Sequence, residues 1–155
     1  MVEETLPEEP QDEFMSPVPA DGGKKTRMGR REGTIPRPMH LYLHIPFCHR
    51  VCPYCGFYKH TPGKLANRAF VEAILTEAER RSPVGFAPAT VYFGGGTPSL
   101  LSPALLERLM RGLAERFDLS GVAEWTIEAN PATFDLDKAS LMRALGADRV
   151  SLGVQ

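Results

Sequence analysis

Residues Tyr42 to Phe57 read YLHIPFCHRVCPYCGF, and the rest of the chain is organised around this stretch. Cys48, Cys52 and Cys55 are the only cysteines in the protein, spaced Cys-x-x-x-Cys-x-x-Cys directly after a short apolar run that reads as a strand. Three thiolates on one tight loop suit a soft metal centre. They do not suit a disulfide framework, because pairing two leaves one over. Three chemistries stay open at this point. The cysteines are buried free thiols, as cysteine often is; or they bind zinc with His44, His49 or His60 as the fourth ligand; or they hold an iron–sulfur cluster through three thiolates, leaving one iron open. Interleaving with Pro53 and Gly56 matches no packing periodicity, which disfavours the first.

Outward from this loop, composition narrows the class. The chain has 155 residues, a formal net charge of −1 and a sequence pI of about 6.4, so nothing marks a nucleic-acid partner. No apolar run reaches the roughly 20 residues that span a bilayer. The start, MVEETLPEEPQDEF, is acidic and broken by proline, unlike a secretory signal. Clustered free cysteines without an export signal point to a reducing cytoplasm.

Residues 1–38 carry Pro7, Pro10, Pro17, Pro19, Pro36 and Pro38, few large apolar residues, and a basic run of Lys24, Lys25, Arg27, Arg30 and Arg31. Such a segment buries too little apolar surface to offset its ordering entropy, so it reads as a disordered tail. The domain spans 39–155. Within it, 40–46 reads as a strand, 66–81 as a helix stopped by Ser82-Pro83, and 90–93 as a strand. Ser102 and Pro103 then open a helix running to about Phe117. A strand at 124–129 follows, then a helix over about 136–145 closed by Gly146 and a last strand at 149–154. Strand, loop and helix repeat three times before the final strand, which implies parallel strands with right-handed crossovers. A parallel sheet is normally covered, yet the last strand has no helix after it. The expectation is an α/β fold: the first half of a parallel (β/α) barrel, ending after the fourth strand. On that reading these residues are the N-terminal part of a longer protein, and alone they are poorly folded and catalytically silent.

Three further features follow strands. The run Gly94-Gly95-Gly96-Thr97-Pro98 lets backbone approach a ligand, with amide and carbonyl groups able to bond a polar group; otherwise it is a flexible turn. It lacks the spacing of a dinucleotide fingerprint and the lysine of a phosphate loop. Glu128 ends one strand and Gln155 ends the next. Ligands gather at the C-terminal strand ends of parallel α/β folds, so these features and the cysteine loop share one rim.

Taken together, these residues resemble the radical S-adenosylmethionine (SAM) superfamily through CxxxCxxC followed by GGGTP. More narrowly, YLHIPFC, CPYCGF, YFGGGTPSLL, TIEANP and RVSLGVQ resemble the coproporphyrinogen III dehydrogenase and HemW haem-chaperone group over about 41–155. The resemblance implies that Cys48, Cys52 and Cys55 bind three irons of a 4Fe-4S cluster, with SAM on the fourth. It implies that Tyr42 and Tyr54 pack by the cluster and the adenine, and that Gly95, Gly96 and Thr97 meet the methionine moiety. Glu128 and Gln155 would hold SAM or a second SAM. An electron from the reduced cluster, delivered by an electron donor, would cleave SAM to methionine and a 5′-deoxyadenosyl radical.

The dehydrogenases carry a further cysteine where this chain has Phe57, which favours the HemW-like branch, a protein of haem trafficking and porphyrin metabolism. Gly56 is a weaker sign the other way. Haem or a porphyrin is then a ligand of the full-length protein, bound at a His-containing motif farther along, so the haem site falls outside these residues. The runner-up is an oxygen-independent coproporphyrinogen III oxidase (dehydrogenase). A zinc-stabilised binding module is the reading from another class.

Overall fold

Leu43, Ile45, Val91, Phe93, Trp125 and Ile127 alternate along three strands, and all six are buried on one side of a single sheet. The computed structural model describes residues 39–83 and 85–154; the tail assigned to 1–38 and the site residue Gln155 lie outside the described residues. The elements run β1 (His40–Ile45), α1 (Lys64–Arg81), β2 (Thr90–Gly95), α2 (Pro103–Ala114), β3 (Glu124–Ala129), α3 (Leu136–Ala144) and β4 (Arg149–Leu152). Two short 3-10 turns, Pro98–Leu100 and Pro131–Thr133, follow β2 and β3.

The strands lie in the order β1-β2-β3-β4, every neighbouring pair parallel. A doubly wound sheet reverses its order part-way and is covered on both faces. Here the order never reverses, so the crossovers stay on one side and the fold is singly wound, as in a barrel wall. α1 contributes Val71 and Leu75 to the core, α2 contributes Leu106, Leu109, Met110 and Leu113, and α3 contributes Met142. Gly112 brings α1 and α2 together, since a Cβ there would stand 2.7 Å from Leu75. Burying a residue of the size of Leu or Phe stabilises by about 1.5–3 kcal/mol, so this one-sided layer carries the fold.

Local signals set the ends. Ser102 caps α2 by accepting from the Leu105 amide, and Asp135 caps α3 by accepting from the Lys138 amide at 2.8 Å. Gly146 has φ 109°, a backbone state that glycine takes without strain. The differences from the sequence reading are small and physical. β2 runs on to Gly95 because Gly94 and Gly95 stay paired with His44 and Ile45. α2 stops at Ala114, although a turn continues to the buried Phe117, whose amide bonds the Leu113 carbonyl at 2.9 Å. α1 starts two residues earlier than expected, and β4 ends at Leu152.

The opposite face of the sheet is polar and aromatic. Period-two alternation puts His40, Tyr42 and His44, then Thr90 and Tyr92, then Glu124, Thr126 and Glu128, then Arg149 and Ser151 on that inner face. Cross-strand bonds knit it: His40 to Thr90 at 2.9 Å, Arg149 to Glu124 at 2.9 Å, Tyr92 to Glu128 at 2.7 Å. Among the described residues no helix is long and apolar enough to cross a membrane.

Candidate cofactor site

The cysteine loop leaves β1 through Phe47, which is buried and packs edge-on against Phe70 at 4.8 Å and His60 at 5.1 Å. Two backbone bonds close the loop at its base: Cys48 amide to His60 carbonyl at 3.0 Å, and His60 amide to Pro46 carbonyl at 2.9 Å. Cys48 therefore sits on a fixed base. Cys52 and Cys55 ride on the outer part, linked by a turn in which the Cys55 amide donates to the Cys52 carbonyl at 3.2 Å.

All three thiols are free and line one cavity of about 500 Å³, with Tyr54, Lys59, Gly95, Gly96, Thr97 and Asn130 in its wall. The Thr97 hydroxyl donates to Cys48 Sγ at 3.8 Å, tying the loop to the glycine run. Among the described residues no aspartate or glutamate lines this cavity. The donor set is soft sulfur without hard oxygen charge, which fits a thiophilic centre and not calcium or magnesium. Among the described residues no three Cys, His, Asp or Glu side chains already converge as a finished metal site. The thiols share a cavity without meeting at a point.

Hydrogen bonding biases Cys55 toward thiolate. The Phe57 backbone amide bonded to Cys55 pulls its thiol below the ordinary range; burial opposes this, and Lys59 adds to the lowering. Lys59 Nζ also donates to the Cys55 and Phe57 carbonyls. A hydrogen bond to Cys52 pushes the Tyr54 phenol up, with the charges of Cys52 and Cys55 acting the same way.

Of the histidines open as a fourth zinc ligand, only His49 lines the cavity. His44 Nε2 donates to the Tyr58 carbonyl at 3.3 Å while Nδ1 accepts from Tyr42 at 2.9 Å. His60 packs against Phe47 and Tyr58.

The glycine run is shaped by close packing. A Cβ on Gly96 would lie 2.7 Å from the Phe47 carbonyl oxygen, and one on Gly95, where φ is 113°, would lie 2.7 Å from the His44 ring. Its amides are not open to a ligand. Gly95 donates to Glu128 Oε2 at 3.0 Å, Gly96 to the Ile45 carbonyl at 2.8 Å and Thr97 to the Phe47 carbonyl at 2.7 Å. With these amides engaged, the polar groups that Gly95, Gly96 and Thr97 keep for a ligand are carbonyl oxygens and the Thr97 hydroxyl.

A second cavity of about 310 Å³ lies across this run, lined by Gly95, Gly96, Thr97, Glu128, Asn130, Ser151 and Phe57. The structure thus brings Cys48, Cys52, Cys55 and Tyr54 to one side of the glycine run and Glu128 to the other. Tyr42 lines neither cavity. It stands half-exposed on the inner face, stacked on Tyr92 at 6.1 Å. Burial and then the charge of Glu128 push its phenol up. Tyr92 was not singled out from the sequence. The alternation of TVYF, which places it on the same face as Glu128, is the signal that would have found it.

Residues 42–155 match the radical SAM superfamily. The chain belongs to that family. Among radical SAM relatives, the haem chaperone HemW of Escherichia coli K12 is 38% identical over 123 residues, covering 76% of this chain and 32% of that protein. The oxygen-independent coproporphyrinogen III oxidase of the same strain is 39% identical over 122 residues, covering 77% and 27%. The anaerobilin synthase of E. coli O157:H7 is 39% identical over 124 residues, covering 77% and 28%. A solved structure, the coproporphyrinogen III oxidase HemN of E. coli, superposes with a TM-score of 0.71 at 37% identity, over 77% of this chain and 28% of that one. This chain therefore spans about a third or less of the length of the relatives it matches. Its four parallel strands alternating with helices match the first half of the radical SAM barrel.

Proposed function

We propose that this chain is the cluster- and SAM-binding part of a HemW-like radical SAM protein acting in cytoplasmic haem trafficking or porphyrin metabolism. The observation that carries the reading is the cavity in which Cys48, Cys52 and Cys55 meet the Gly95–Thr97 run, within a chain of this family. The three thiolates hold three irons of a 4Fe-4S cluster. Cys48, anchored by the loop base and by Thr97, would hold the cluster together with Cys52 and Cys55 from the outer part of the loop. When bound, the cluster would supply an electron, delivered by a donor protein, for the cleavage of SAM. The carbonyls of Gly95 and Gly96 would accept from the SAM amino group, Tyr54 walls the cavity, and Glu128 would accept donors of SAM from the adjoining cavity. Gln155 and Tyr42, the latter on the inner face beside Tyr92 and outside both cavities, complete the proposed set. Haem or a porphyrin binds the full-length protein beyond these residues.

Anaerobic reconstitution with iron and sulfide tests this reading. A brown protein with equal iron and acid-labile sulfide, lost on changing any one of the three cysteines to alanine, is expected. A colourless protein with one zinc per chain, with His49 as fourth ligand, would overturn it.

A second reading, oxygen-independent coproporphyrinogen III oxidase, is favoured by an identity of 39% to the oxidase beside 38% to HemW. Phe57 weighs against it. It is 71% exposed and lines the Glu128 cavity at the position where a further cysteine would stand. Conversion of coproporphyrinogen by the full-length protein decides for the oxidase; haem binding and transfer without conversion decides for the chaperone.

A further inference from the structure

Glu128 stands at the end of β3 and is held from two sides. Tyr92 Oη donates to Oε1 at 2.7 Å, and the Gly95 amide donates to Oε2 at 3.0 Å. Both donors belong to β2 or its end, so the carboxylate is fixed relative to the strand that supplies the glycine run. Each carboxylate oxygen has more than one acceptor position, so capacity remains for a ligand in the cavity that Glu128 lines.

Tyr92 is itself held. Its ring stacks on Tyr42 with an interplanar angle of 26°. It also lies across Gly94, where a Cβ would come within 2.8 Å of its Cε1, so the glycine leaves room for the ring. The bond to Glu128, then burial, raise the phenol above its ordinary range; Arg149 and a hydrogen bond from Ser151 on β4 pull the other way. The paired register of β2 with β3 ends at Phe93 and Ile127, one residue short of Glu128. A glutamate loses much rotamer freedom when fixed, and here the loss is met before any ligand arrives.

We propose that Tyr92 is a positioning residue whose hydroxyl, with the Gly95 amide, holds the Glu128 carboxylate ready for the hydroxyl or ammonium donors of the bound cofactor. The inference rests on the reading of Glu128 as a SAM contact.

The test measures SAM affinity by calorimetry on the anaerobically reconstituted full-length protein, for the native chain, Y92F, E128Q and the double variant. Y92F weakens binding roughly tenfold, as expected for one bond to a charged group. E128Q weakens it at least as much, and the double variant is no weaker than E128Q alone. Native affinity in Y92F with weakened E128Q overturns the positioning role and leaves Glu128 as a contact. Native affinity in E128Q overturns the Glu128 reading and the positioning role with it. A readout free of SAM is the phenolate absorbance of the apoprotein. Tyr42 and Tyr54 also ionise above the ordinary range, so the component read is the one that Y92F removes from the titration, and E128Q is expected to shift that component down. A titration that E128Q leaves unchanged sinks the proposal.

Discussion

The imidazole of His44 occupies the space that a side chain on Gly95 would need. An ideal Cβ at Gly95 would lie 2.7 Å from His44 Cε1 and 2.8 Å from Nδ1, and the Gly95 backbone has φ 113°. Two independent causes thus demand glycine, one steric and one conformational. Gly95→Ala pays at least about 1–2 kcal/mol for the backbone alone. It also turns His44 away from Tyr42 and the Tyr58 carbonyl. Adding His44→Ala should restore the steric share and not the backbone share, so the double variant should melt between Gly95→Ala and His44→Ala. Full recovery would show that the positive φ relaxes freely.

Gly96 and Gly56 offer a sharper contrast. A Cβ on Gly96 would meet the backbone of Pro46 and Phe47, with 2.7 Å to the Phe47 oxygen, and backbone cannot swing aside as a side chain can. At Gly56 a Cβ would meet nothing within 4 Å, and φ there is not positive. Gly96→Ala is expected to destabilise by about 1–3 kcal/mol through overpacking. Gly56→Asp is expected to stay within about 0.5 kcal/mol of the native chain. Denaturant midpoints of the two variants check this; equal midpoints would mean that the Gly96 contact yields.

The strands and helices were legible because each has its own punctuation: Ser82-Pro83, Ser102-Pro103, Asn130-Pro131 and Gly146 mark ends by chemistry that acts within a few residues. The cysteine loop was legible for the same reason, since its three thiols are local in sequence. What was not legible depends on register between distant strands. That the amides of Gly95, Gly96 and Thr97 are spent on Glu128, Ile45 and Phe47 follows from where β1 and β3 end beside β2. The sequence reading left those amides open to a ligand. Tyr42 shares a stretch with the cysteines, yet a strand turns its side chain to the inner face, away from the loop that follows. Tyr92 escaped the sequence reading because the carboxylate it bonds, Glu128, lies 36 residues on.

The lowered Cys55 thiol makes a prediction for the metal-free protein. The Phe57 amide, then Lys59, favour the thiolate. Alkylation of Cys55 by iodoacetamide, followed peptide by peptide, should reach half its limiting rate at a lower pH than a free cysteine does. Lys59→Met should move that midpoint part of the way up, because the Phe57 amide remains. A midpoint at or above that of free cysteine would mean that burial outweighs both donors.

The raised Tyr92 phenol links stability to alkaline pH. Its folded pKa lies above the unfolded value near 10, the direction set by the bond to Glu128. Below pH of about 10 Tyr92 is neutral in both states, and its bond contributes in full, about 1.5 kcal/mol at the low end for a hydrogen bond to a charged group. As pH rises beyond that, the unfolded chain gives up the proton first, so the contribution fades and is lost as pH passes through the folded value. The stability difference between the native chain and Tyr92→Phe should therefore be flat from neutral pH to about 10 and close above it. Urea midpoints of both proteins across this range give the measurement. A gap that persists unchanged well above the range would mean that the phenylalanine variant loses packing against Tyr42 rather than the bond to Glu128.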